Sequence, residues 1–159
     1  MSNPSNENIL LKIGCILVIA GGAISQGIGA LNSLSLMNQQ LNGQSYGELD
    51  QMIQQQTGGQ MDADQALNLL AGVSIGSAIF CLVVFVVLLM ISLLGLKRIS
   101  DPKKYRYFLI WGVLLLLFGG IGALTAPDLL SVRGLANLVW GIAGPVLFLV
   151  GAIQQRKSL

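Results

Sequence analysis

Four apolar stretches, at residues 12–36, 66–96, 107–126 and 134–153, constrain this chain more than any other feature of it. A helix needs roughly 20 mostly apolar residues, at about 1.5 Å each, to cross a hydrocarbon core about 30 Å thick. Each stretch meets that length. A membrane-spanning strand would instead alternate apolar and polar residues over about 10 positions. The run 79–91 is apolar at every position, which a helix surrounded by lipid tolerates and an alternating strand does not. A helix also satisfies its own backbone donors and acceptors where no water is present. The pattern therefore predicts an all-α integral membrane protein: one domain over 1–159, with four transmembrane helices arranged as two hairpins. Composition agrees, because only 10% of residues are charged, against about 25% in soluble domains.

The second stretch is the longest. From Leu69 to Leu96 it would extend roughly 42 Å as a straight helix, so it is expected to tilt or to begin above the hydrocarbon. Asp62 is placed to cap its start, since a carboxylate accepts from the free amides of a first turn. Lys12 followed by the apolar run 13–23 has the look of a signal peptide, but apolar character continues to Leu36. An uncleaved first span is the expectation.

Lys and Arg in the short loops set orientation. Lys12, Lys97, Arg98, Lys103, Lys104, Arg106, Arg156 and Lys157 fall on one side, and Arg133 alone on the other. Both termini and the loop 97–106 are therefore predicted in the cytoplasm, with the protein multi-pass in the cell membrane. Lys97, Arg98, Lys103, Lys104 and Arg106 would fix topology and attract anionic head groups. Tyr105, Tyr107 and Trp111 would sit at the inner interface, where amphipathic rings prefer to lie. The net charge of +2 gives no footing for nucleic-acid binding. The outer loop 37–65 contains Glu48, Asp50, Asp62 and Asp64 and no basic residue. Within it, Leu49, Met52 and Ile53 share one helical face before Gly58-Gly59, which predicts a short amphipathic helix and an outer docking face.

Glycine is concentrated in the spans, which hold 16 of the 20. Gly21, Ser25, Gly29 and Ser33 recur every fourth residue, and Gly72 and Gly76 repeat the spacing at the start of the second span. Small strips let helix backbones approach closely. Each strip is expected either to pack within the chain or to present an interface to a partner. Pro145 after Gly144 predicts a kink in the fourth span, because proline removes a helical hydrogen bond and crowds the carbonyl four residues back. Gln26 and Asn137 are the expected interhelical hydrogen-bonding groups, with Ser25, Ser74, Ser77 and Ser92 as minor ones.

The chain offers little for chemistry. It has no histidine, two cysteines at different expected depths, no phosphate loop and no dinucleotide fingerprint. No Asp, Glu, Lys or Arg lies near the centre of a span, where ion-coupled carriers place one. The reading is of a chain that is not an enzyme and needs no cofactor.

The Gly-Gly pairs at 21–22 and 119–120, the G-I-G-A-L copies at 27–31 and 120–124, and the polar outer loop carry a resemblance. In these the chain loosely resembles small four-span membrane proteins of Gram-positive bacteria whose function is unknown. The resemblance covers the whole chain and implies no catalytic residue. The expected function is that of an accessory or interaction subunit of a larger membrane assembly (transport, secretion, envelope stress or immunity). Its partners would be the lipid bilayer and another membrane protein or a second copy. The alternative expectation is a self-associating small channel or carrier.

Overall fold

The structure is a computed structural model that describes residues 8–43, 50–51, 53–55, 58–59, 61–124 and 129–157. All regular structure among them is helical. Helix α1 covers Ile9–Gly43, α2 Ala63–Leu96 and α3 Tyr105–Leu124, with a single 3₁₀ turn, Pro102–Lys104, before α3. The fourth span is composite: α4 (Val132–Leu138), a π-helical turn (Val139–Ala143) and α5 (Gly144–Lys157). Four helical segments are long and apolar enough to cross a membrane, at Ile9–Ser35, Asp64–Leu96, Pro102–Leu124 and Val132–Lys157. The chain is an all-α, four-span, multi-pass membrane protein.

The helix ends follow local chemistry. Asp62 Oδ1 accepts from the Gln65 amide at 2.8 Å, while the Asp62 amide donates to Gln65 Oε1 at 3.4 Å. This reciprocal box satisfies donors that the first turn of α2 would leave open. Asp62→Ala is expected to cost about 1 kcal/mol and to fray that turn, read as faster amide exchange at Gln65 and Ala66. Asp101 caps the 3₁₀ turn by accepting from the Lys103 amide at 3.1 Å, and Pro102 occupies the first position, where its missing N–H costs nothing. Ser131 caps α4 by accepting from the Gly134 amide at 3.0 Å.

Sequence and structure differ most at the end of α1 and within the fourth span. Helix α1 continues to Gly43, seven residues past the expected end at 36, into the polar loop. The residues there include Gln39, Gln40 and Leu41, good helix formers that need no lipid to stay helical. The fourth span meets Pro145 by opening a π turn immediately before it, in which the Gly144 amide donates to the Val139 carbonyl. Pro145 has no amide to offer the turn before it. The wider turn is the backbone adjustment found where a membrane helix accommodates proline.

The chain divides into two compact units, residues 1–27 with 83–159, and residues 28–82. The larger unit has its core around Leu11, Cys15, Val18, Leu88, Ile91, Ile99, Phe108, Leu115, Phe148 and Ala152. Phe108 and Phe148 meet edge to face with centroids 5.6 Å apart. Two long-range hydrogen bonds tie its basic end. Asn8 Nδ2 donates to the Gly151 carbonyl at 2.8 Å, and Gln155 Nε2 to the Ile99 carbonyl at 2.7 Å. They bring the start of α1, the turn after α2 and the end of α5 together. In the smaller unit, Ser33 and Ser77 hydroxyls lie 3.0 Å apart, joining α1 to α2. Ser74, Ala78 and Cys81 form the buried face of α2 there. Cys15 and Cys81 are both free thiols, each buried.

Candidate functional site

The glycines of the larger unit work as sockets. Along α1 and the fourth span, large and small residues alternate in an antiparallel register. Leu11 fills the space at Gly151, Phe148 that at Gly14, Val18 that at Gly144, and Trp140 that at Gly21. A β-carbon at Gly14 would sit 2.8 Å from Phe148 Cδ1, and one at Gly144 would sit 2.5 Å from Val18 Cγ2. Leu149 occupies the corresponding socket at Gly112 on α3. Where α3 meets the π turn, two glycines face each other, and a β-carbon on Gly141 would lie 2.5 Å from the Gly119 carbonyl oxygen. Membrane helices gain dispersion from such approach, because no hydrophobic force acts between apolar surfaces already in lipid.

A small polar cluster lies against this contact. Asn137 Oδ1 accepts from the Ser25 hydroxyl on α1 and, at 3.0 Å, from Trp140 Nε1. The Trp140 ring rests on Gly119, while its backbone nitrogen and Cβ, with the Ala136 carbonyl, lie against Gly21. One side-chain amide thus links α1 to α4 and fixes the indole that fills the socket at Gly119. Serine, asparagine and tryptophan here supply hydrogen bonds and no titrating group, so the cluster orients helices and moves no proton by itself. Of the two expected interhelical residues, Asn137 is used in this way. Gln26 is half-buried, and its neighbour Ser25 makes the bond to the fourth span. Trp140 was not among the expected residues. Its signal was the spacing Asn137-x-x-Trp140, which puts an indole donor one helical turn from an amide.

The expected small strips divide. Gly21 and Ser25 pack against the fourth span, and Gly29 is buried. Ser33 donates back to the Gly29 carbonyl at 3.0 Å and meets Ser77. Gly72 and Gly76 differ: both are exposed, and a β-carbon at either would meet nothing within 4 Å. They lie across α2 from buried Ser74 and Ala78. The two G-I-G-A-L copies are not equivalent either. Gly27 is exposed and Gly29 buried in the first, whereas Gly120 is buried and Gly122 exposed in the second.

In the basic segment, Lys104 reaches Asp101 at 3.7 Å, an exposed pair worth little. Lys97, Lys103 and Arg106 are exposed. Arg98 is half-buried, with its guanidinium 4.4 Å from the centre of the Tyr107 ring. In the outer segment, Leu49 and Met52 lie outside the described residues, while Ile53 is helical and half-buried. Gln54 Nε2 donates to Asp50 at 3.0 Å. Gly58 and Gly59 adopt φ +63° and +79°, and the Gly59 amide donates to the Gln54 carbonyl at 2.9 Å. That left-handed pair ends the short helix, because glycine alone enters the region without a steric cost. Among the described residues no three of Cys, Asp or Glu gather to hold a metal ion. No protein-family model, curated protein or solved structure matches this chain.

Proposed function

We propose that this protein is a non-enzymatic subunit of a larger assembly in the cell membrane, with its basic end and both termini in the cytoplasm. One observation supports this reading most. Most glycines of the larger unit are filled sockets, but Gly72 and Gly76 present open space on an exposed face of α2. A helix interior loses about 1 kcal/mol for each glycine placed where alanine would serve. A partner helix approaching closely over these positions would offset that cost. Leu69, Val73 and Phe80 on the surrounding surface are more than 60% exposed and would join the contact. The orientation rests on the excess of Lys and Arg at the end tied by the Asn8 and Gln155 bonds.

The test is affinity purification at native expression level in a gentle detergent, with mass spectrometry and sizing. The wild type is expected to bring down a stoichiometric membrane protein. Gly76→Leu is expected to lose that companion while accumulating normally, since its side chain enters empty space. Association unchanged in both Gly72→Leu and Gly76→Leu would remove the basis of the reading. A homogeneous multiple of the 16.8 kDa chain with no companion would favour the self-associating channel or carrier, to be examined by solute flux in liposomes.

A further inference from the structure

A groove of about 280 Å³ runs along the larger unit, lined by Val87, Met90, Ile91 and Leu94 of α2, by Tyr107 and Trp111 of α3, and by Arg98. It is independent of the Gly72–Gly76 surface. We propose that it is a binding site for one anionic phospholipid, with the phosphate on Arg98 and an acyl chain lying along α2 towards Val87.

Three observations carry this. The first is length. Val87 and Leu96, the last residue of α2, are nine residues apart, roughly 14 Å along the helix and close to half of the roughly 30 Å hydrocarbon core, and Arg98 follows in the turn just beyond. A chain anchored at Arg98 would therefore run the depth of one leaflet. The volume lies just below the roughly 300 Å³ at which compact ligand pockets begin.

The second is chemistry by position. The wall from α2 is aliphatic, and its Val87, Met90 and Leu94 are 45%, 56% and 42% exposed, so the groove opens sideways to lipid. Its only cation stands at one end, where the basic turn begins. The Tyr107 hydroxyl donates to the Ile91 carbonyl at 2.6 Å, and Tyr107 meets Trp111 edge-on at 6.3 Å. The aromatic wall is thereby fixed.

The third is an unbalanced charge. Arg98 is half-buried, and among the described residues it pairs with no carboxylate. Asp101, three residues on, is already engaged by the Lys103 amide and Lys104. The Tyr107 ring covers one face of the guanidinium, which leaves its N–H edge for an oxyanion. A planar fork held by an aromatic face suits phosphate far better than a mobile ammonium does. Basic pockets between transmembrane helices are where acidic lipid head groups bind. Exposed Lys97 and Lys103 attract the same lipids diffusely; Arg98 with the groove would hold one.

The test uses the full-length protein in detergent, titrated with phosphatidylglycerol or phosphatidylcholine of matched chains and read by native mass spectrometry. One phosphatidylglycerol is expected to stay bound at least tenfold more tightly than phosphatidylcholine. Arg98→Gln is expected to abolish that preference, and Lys103→Gln to change affinity less than twofold. Met90→Trp fills the groove from an exposed position without altering charge, and is expected to weaken phosphatidylglycerol at least fivefold. Water-soluble glycerol phosphate in large excess is expected not to displace the lipid. Equal losses in Arg98→Gln and Lys103→Gln, or full affinity in Met90→Trp, would overturn the proposal. So would displacement by glycerol phosphate, which would reduce the site to a bare anion site.

Discussion

Gly141→Ala is expected to destabilise the bundle by about 1–3 kcal/mol, the usual cost of forcing an extra carbon into a filled interior. The added methyl would lie 2.5 Å from the Gly119 carbonyl oxygen and 2.7 Å from its carbon. Those are backbone atoms, so no side chain can rotate aside. α3 and the π turn must separate, and the Trp140 ring that rests on Gly119 must move with them. The measurement is unfolding by anionic detergent in mixed micelles, followed by tryptophan emission. Gly122→Ala is the control: its β-carbon meets nothing within 4 Å. There the better helix propensity of alanine, about 1 kcal/mol at most, is the remaining effect. Equal stability of the two variants would show that the Gly119–Gly141 contact is not held in the membrane.

Asn137→Leu is expected to be the second most damaging change. It removes the acceptor of two hydrogen bonds and leaves the Ser25 hydroxyl and the Trp140 indole without their shared partner. Interhelical bonds in membranes average about 0.6 kcal/mol and reach about 1.7, so the loss should be roughly 1–3 kcal/mol, with the upper end reflecting stranded donors. Ser25 is 2% exposed, so a stranded hydroxyl there has no ready access to water. The coupling is tested by a double-mutant cycle. Ser25→Ala should destabilise the wild type and do little in the Asn137→Leu background. Strictly additive losses would mean that the two side chains are not bonded in the folded protein.

Both predictions rest on the fourth span, where sequence and structure relate unevenly. Pro145 signalled a departure from regular helix, and its missing amide is a local fact that any environment must accommodate. That the response is a π turn at Val139–Ala143 depends on what packs there. The turn sets the Trp140 backbone against Gly21 and its ring on Gly119, and brings Gly141 onto Gly119. No local rule connects residues 21, 119 and 141. The spacing of Gly21, Ser25, Gly29 and Ser33 showed that one face of α1 is small. It did not show that the fourth span faces Gly21 and Ser25.

The same division holds for the polar and charged groups. Asn137 stood out because amides are few at that depth, while its bond to Ser25 rather than through Gln26 depends on helix rotation. The two residues are 100° apart on α1, and only the packed neighbour decides which of them points inward. Arg98 was legible as one basic residue among five in the segment 97–106. Its difference from Lys97 and Lys103 arises from the Tyr107 ring beneath it, nine residues later and on another helix.

The sequence by itself determined that four helices are long and apolar enough to cross a membrane, and which end collects positive charge. These follow from transfer of apolar length into lipid and from backbone groups that must bond within their own helix, and both act on one segment at a time. The tertiary structure decided which glycines are sockets and which are left open, which polar groups meet, and where a groove remains beside Arg98. Lipid is as apolar as leucine, so hydrophobicity cannot choose among helix faces. Shape and hydrogen bonding make that choice, and both belong to pairs of segments rather than to any one of them.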